Sequence, residues 1–328
     1  MMHVFQIALL TLLTNFMGAS VAKCLPYQAE QDQGSIEKPE TTIDVATEGA
    51  APSPLVNSRP SQGEGDVVRL EVYPSKITLG SALDRQSIVV QRNRPDGITE
   101  DLSASCSIRI EGPHAKFENG FVLPVSDGEA KLIVEQDMQQ VEIPIKVTGA
   151  ATVPEVSFQN DVMPVFSKTG CNAGSCHGAA RGKDGFNLSL YGFDPKGDHH
   201  RLTREMMGRR VNLAVPENCL LTNKATGSVA HSGGSLMSRD SEHYQTIIRW
   251  LDAGATEDVG KVPSVDKIEL YPPAAVLNGP ETQQKMSVVA TYSDGATRDV
   301  TNLAYFSTNN DNSASVSQDG VVTAANRG

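Results

Sequence analysis

Apolar and polar residues alternate in two distant stretches of the chain: Val68, Leu70 and Val72 in one, Ile268 and Leu270 in the other. Alternation of period two predicts half-buried strands. The two stretches also match in sequence. LEVYPSKITLG (70–80) matches IELYPPAAVLNG (268–279), SIVVQRNRPDGITEDL (87–102) matches SVVATYSDGATRDV (287–300), and NGFVLPV (119–125) matches DGVVTAA (319–325). Each copy places Asp-Gly between two such runs, at Asp96-Gly97 and Asp294-Gly295, where a tight hairpin needs positive φ. The repeat therefore predicts two all-β sandwiches of short antiparallel strands, at residues 66–150 and 264–328. Copy one continues through EAKLIVEQDMQQVEIPIKVTG, two further strands that copy two lacks before Gly328. On that pattern copy two reads as truncated, or the chain as the front part of a longer protein.

Residues 154–260, between the copies, lose the alternation. SFQNDVMPVFSKTG predicts a short helix from about Asn160, with Pro164 in its first turn and Val162, Val165 and Phe166 facing inward. DSEHYQTIIRWLDAGA predicts a firmer one. Asp240 or Ser241 caps it, Tyr244, Ile247, Ile248 and Leu251 form an apolar stripe, and Gly254 ends it. Two such helices packed across one another would frame a pocket.

The amino terminus changes the compartment. MMHVFQIALLTLLTNFMGASVAKC carries an apolar run from Val4 to about Val21, closed by Ser20-Val21-Ala22. This predicts an export signal, residues 1–22, cleaved after Ala22. An uncleaved membrane anchor is the competing reading, because the run is nearly long enough to span a bilayer. Lys23 stands where lipidation of Cys24 would require a small residue. Both readings place the rest of the chain outside the cytoplasm, in the periplasm or at the cell surface. Residues 23–65, rich in Gln, Glu, Pro, Ser, Thr and Gly, predict a disordered linker. The net charge of −11, with no cluster of Lys and Arg, excludes nucleic acid as a partner.

Chemistry concentrates in KTGCNAGSCHGAARGKDGF, residues 168–186. Cys171, Cys176 and His177 form C-x-x-x-x-C-H, two residues longer than the C-x-x-C-H signature of haem attachment. In a c-type site each thiol adds to a haem vinyl group and the adjacent histidine binds iron. A loop containing Gly174 can bulge to accommodate the extra residues. A Cys171–Cys176 disulfide in an oxidising compartment is the second reading, with His177 incidental. A zinc knot is the third; it needs a fourth ligand and must use the adjacent Cys176 and His177 together. Cys106 and Cys219 read as small buried residues.

The flanks of the motif resemble a known family. VSFQNDVMPVFSKTGCNAGSCHGAARGKDGFNLSLYGFDPKGDHHRLTRE, followed by HSGGSLMSRDSEHYQTIIRWLDAGA, is similar to the cytochrome c-like domain of large exported planctomycete proteins. YSDGATRDVT (292–301) and SASVSQDGVVTA (313–324) resemble group 2 bacterial immunoglobulin-like domains, which serve as extracellular spacers or adhesion modules. The resemblance implies a multidomain protein: all-β Ig-like sandwiches flanking a mainly α cytochrome c-like domain, behind a disordered N-terminal tether. It implies one covalent haem c on Cys171 and Cys176, with His177 as proximal iron ligand. The role implied is electron transfer rather than turnover by the chain itself, toward a redox partner protein or further downstream domains.

Relatives carry Met-Pro-Pro before the final helix, where Met ligates iron. Here VAHSGGSLM occupies that region, so His231 is the first candidate for the sixth ligand, Met237 the second, and Met206 or Met207 follow. Gly233 and Gly234 would let the backbone pass close to the ring edge. His199 and His200 read as exposed turn residues. The alternative function is an extracytoplasmic structural or adhesion protein with a Cys171–Cys176 disulfide and no haem. A third reading is an electron-entry module of an oxidative enzyme acting on surface polysaccharide.

Overall fold

The computed structural model describes residues 68–327, so the expected export signal and linker lie outside the described residues. Copy one supplies ten strands: β1 (Arg69–Tyr73), β2 (Ile77–Leu79), β3 (Gln86–Ser87), β4 (Val89–Asn93), β5 (Thr99–Asp101), β6 (Ser107–Glu111), β7 (Ala115–Glu118), β8 (Phe121–Pro124), β9 (Gly128–Gln136) and β10 (Gln139–Val147). They form three small sheets, ordered β1-β4-β5, β2-β10-β9-β6 and β3-β8-β7. Copy two supplies β11 (Val265–Tyr271), β12 (Gln283–Lys285), β13 (Ser287–Tyr292), β14 (Thr297–Asp299), β15 (Ala314–Val316) and β16 (Val321–Ala324). Its sheets, β11-β13-β14 and β12-β16-β15, reproduce the first and third sheets of copy one. The Asp-Gly turns form as the sequence predicts, with Gly97 at φ +80° and Gly295 at +84°.

The two copies pack against each other through reciprocal bonds. Asp101 Oδ2 accepts from Lys285 N at 2.6 Å, and its counterpart Asp299 Oδ2 accepts from Ser87 N at 2.7 Å. Within each copy the other carboxylate oxygen closes the same local turn, taking Ser103 N at 2.8 Å or Thr301 N at 2.9 Å. Gln86 and Gln284 repeat each other's bonds to the carbonyls of Ser87 and Lys285. The rings of Tyr73 and Tyr271 stack with centroids 5.4 Å apart. One patch thus meets its own duplicate, as in a two-fold dimer, but inside a single chain.

Between the copies lie α1 (Met163–Lys168), entered through a π-helical turn at Phe158–Val162, then α2 (Pro195–Thr203), α3 (Met207–Arg210), α4 (Leu220–Ala225) and α5 (Glu242–Asp252). Ser157 caps the first of these, accepting from Asn160 N, and Pro164 sits in the first turn of α1. Ser241 caps α5, which buries Tyr244, Ile247, Ile248 and Leu251 as expected, with Trp250 beside them at 0% exposure. These residues and Phe158, Val165 and Phe166 share one core.

The expectation of a mainly α central domain is overturned. The described residues are mostly β-strands in small sheets and only 18% helical. The physical reason lies in the chain from α1 to α2, where Gly170, Gly182, Gly185 and Gly192 all take positive φ and no helix can run through. A second correction concerns GDHHRLTRE, expected as exposed turn. It contributes to α2, capped by Asp194, and His199 is buried there, with its Nε2 2.8 Å from the carbonyl of Ala255. His200 is exposed, on the same helix.

Copy two also anchors both framing helices. Arg298 pairs with Asp161 at 2.8 Å, and Lys168 Nζ donates to the carbonyls of Ala304 and Gln318. On α5, His243 donates to Asn302 O at 3.0 Å, and Glu242 accepts from Asn302 and Arg85. Among the described residues no helix is long and apolar enough to cross a membrane.

Candidate functional site

The CNAGSCHG loop begins where α1 ends and closes on itself through backbone bonds. Cys171 N donates to Phe166 O at 2.9 Å, Cys176 N to Ala173 O at 2.9 Å, and His177 N to Cys171 O at 3.0 Å. The four residues between the cysteines therefore fold into a compact turn. Gly178 packs so closely beneath it that a Cβ there would lie 2.0 Å from Asn172 O. Asn172 is fully buried; its Nδ2 donates to Ser167 Oγ, while its Oδ1 has no hydrogen-bond partner among the described residues.

Both motif cysteines are free thiols. Cys171 packs against the central core, and burial pushes its thiol pKa up. Cys106 and Cys219 are free as well, packed against or inside separate cores as expected of small buried residues.

The His177 imidazole is fixed from one side. Its Nδ1 donates to Phe186 O at 3.0 Å, and its ring lies 4.6 Å from the Phe186 ring. Arg210 stacks on Phe186 at 4.5 Å and holds that turn through Gly185 O and Glu205 O. Burial lowers the His177 pKa, and the nearby His231 lowers it further, so the imidazole is favoured in its neutral, ligating form. Neither Phe186 nor Arg210 stood out in the sequence, although the GKDGF turn gave a local sign that the chain reverses there.

His231 lies opposite. The two rings have centroids 6.4 Å apart and planes within 8° of parallel. His231 Nδ1 donates to Gly234 O at 3.0 Å, mirroring the bond of His177 to Phe186. Each ring thus keeps Nε2 as its free nitrogen, the arrangement usual for metal-binding histidines. Two metal–imidazole bonds of about 2 Å, lengthened by the ring radii, give centroids about 6 Å apart.

The chain between the histidines also exposes large apolar side chains. Leu190, Tyr191, Phe193, Leu213, Val215 and Val229 are all exposed. Tyr191 N bonds Asn172 O at 3.1 Å, and Leu190 faces Gly174, so two of them adjoin the cysteine loop. Exposed apolar side chains beside the cysteine loop suit a flat hydrophobic macrocycle. Free thiols, a His177 ring anchored through Nδ1 and this surface together fit a haem.

The other sequence candidates fall elsewhere. Met237 is buried in the central core at 8% exposure, and Met206 is exposed at φ +50°. Met207 belongs to α3. Among the described residues no three His, Cys, Asp or Glu side chains converge as a metal-binding group. No protein-family model and no curated protein matches the chain.

Proposed function

We propose that the chain is an exported c-type cytochrome module carrying one covalent haem for electron transfer, framed by the two β repeats. The observation that carries this reading is the closed Cys171–Cys176 loop, whose next residue, His177, lies with its ring parallel to that of His231 at 6.4 Å. Cys171 and Cys176 would hold the haem by thioether bonds, and His177 would bind its iron. The haem, when bound, supplies a one-electron couple. Phe186 O holds the Nδ1 proton of His177, which fixes the tautomer and leaves Nε2 as the nitrogen that would bind a metal. The apolar amino-terminal run supports export, to the compartment where c-type haem is attached. The electron partner is a redox protein or a further domain of the same polypeptide.

The test is co-expression with haem-maturation machinery, then denaturation and an absorption spectrum of the chain. The reading expects a c-type spectrum retained in the wild type and lost in the Cys171→Ser/Cys176→Ser double variant. A colourless chain with Cys171 joined to Cys176 would support the structural or adhesion protein instead.

A further inference from the structure

The geometry points to His231 as the second axial ligand of the same iron, with Gly233 as the positioning residue that seats its imidazole. This inference rests on the haem reading above and adds the other face of the metal. Three observations carry it. The ring planes of His177 and His231 lie within 8° of parallel with centroids 6.4 Å apart, a separation that two imidazoles bound to one metal atom can have. Each Nδ1 is tied to a backbone carbonyl at 3.0 Å, Phe186 O for one and Gly234 O for the other, so both rings offer Nε2.

The third observation is the build of the His231 turn. Gly234 N donates to His231 O at 3.0 Å, Lys224 Nζ to Ala230 O at 2.6 Å, and Leu236 N to Ala225 O at 2.8 Å, which pins the turn to α4 on both sides. A Cβ on Gly233 would stand 2.9 Å from His231 Cε1 and 3.2 Å from its Nε2. The φ of Gly233 lies outside the left-handed region, so its backbone admits alanine and the clash falls on the ring alone. Met237, the competing ligand, is part of the hydrophobic core.

With both axial positions filled by imidazole, the module carries electrons and binds no small ligand at iron. Its potential lies below that of a His/Met site. Parallel imidazole planes also give the oxidised form a rhombic, rather than strongly axial, low-spin electron paramagnetic resonance signal.

The experiment uses the matured full chain as wild type, His231→Ala, His231→Met, Gly233→Ala and Met237→Leu. Haem retained after denaturation reads the parent proposal; spin state and carbon monoxide binding in the native protein read this one. Expected results are a rhombic low-spin wild type and a His231→Ala variant that keeps its haem but turns high-spin and binds carbon monoxide. His231→Met should restore the low-spin state at a higher potential. Gly233→Ala should keep both haem and fold while populating a high-spin fraction, an effect a merely structural glycine would not produce. A His231→Ala protein with haem attached and a wild-type low-spin spectrum overturns the inference, as does a Met237→Leu protein that turns high-spin. A wild type that retains no haem overturns the parent reading and this one with it.

Discussion

The β repeats and the segment between them are stabilised in different ways. In the repeats, ladders carry the backbone bonds and burial alternates along the strands, most clearly along β10, where Ile143, Ile145 and Val147 are buried between exposed neighbours. In the central segment, side chains carry much of that work. Asp258 caps Phe158 and Gln159, Asp198 takes the Ser189 N–H and Arg201, and Arg210 holds three carbonyls. A ladder fixes a whole surface, whereas side-chain bonds fix individual loops, and individual loops are what bring the two imidazoles within 6.4 Å of each other. The duplicate pair acts as frame, and the irregular segment holds the candidate site.

The sharpest way to break this comparison is to empty the central core. Trp250→Ala should cost about 4 kcal/mol, because the indole is fully buried and Nε1 donates to Thr256 O. Urea unfolding should show the loss in the transition that also removes any haem signal, with the β repeats unfolding near their wild-type midpoint.

The frame is tested by its own symmetry. Asp101→Ala and Asp299→Ala should each cost about 2–3 kcal/mol, since each strands an amide in its own copy and one in the other. Near-equal losses by chemical denaturation would support the reciprocal interface; a large cost for one and none for the other would refute it.

Gly178→Ala probes the loop itself. Its Cβ would meet backbone, Asn172 O at 2.0 Å, so the turn between the cysteines must open, at about 1–3 kcal/mol. Haem attachment should fall while the unfolding of the repeats stays unchanged. The smallest effect is on a thiol. In haem-free protein, alkylation of Cys171 should rise with pH later than that of an unfolded cysteine, because burial raises its pKa. A rate profile centred at or below the unfolded value would contradict the buried placement.

Much of this was legible where one periodicity dominates. The stripe Tyr244, Ile247, Ile248, Leu251 and the cap at Ser241 specify α5 outright, and the Asp-Gly pairs specify both hairpins. Helix α2 was not legible, because PKGDHHRLT shows no apolar stripe: it forms on the Asp194 cap and on the buried bonds of Asp198. The same absence made His199 look exposed. The mainly α expectation for the centre, implied by the resemblance, failed because the stretch between its two well-marked helices is rich in glycines at positive φ. The pairing of the copies rests on Asp101 and Asp299, polar residues at strand ends whose partners lie far along the chain. At the candidate site, Cys171, Cys176 and His177 stood out by type and spacing and His231 by its place before the last helix in the resemblance, whereas Phe186 and Arg210 act only through three-dimensional contact.

The central claim is that the Cys171–Cys176 loop carries a covalent haem. Intact-mass spectrometry of the purified, denatured full chain, produced with haem-maturation machinery, tests it most directly. The account predicts a mass increased by one haem, with the addition mapped to the peptide containing Cys171, Cys176 and His177. An unmodified mass, or one lighter by two hydrogens with the two cysteines joined, would contradict it.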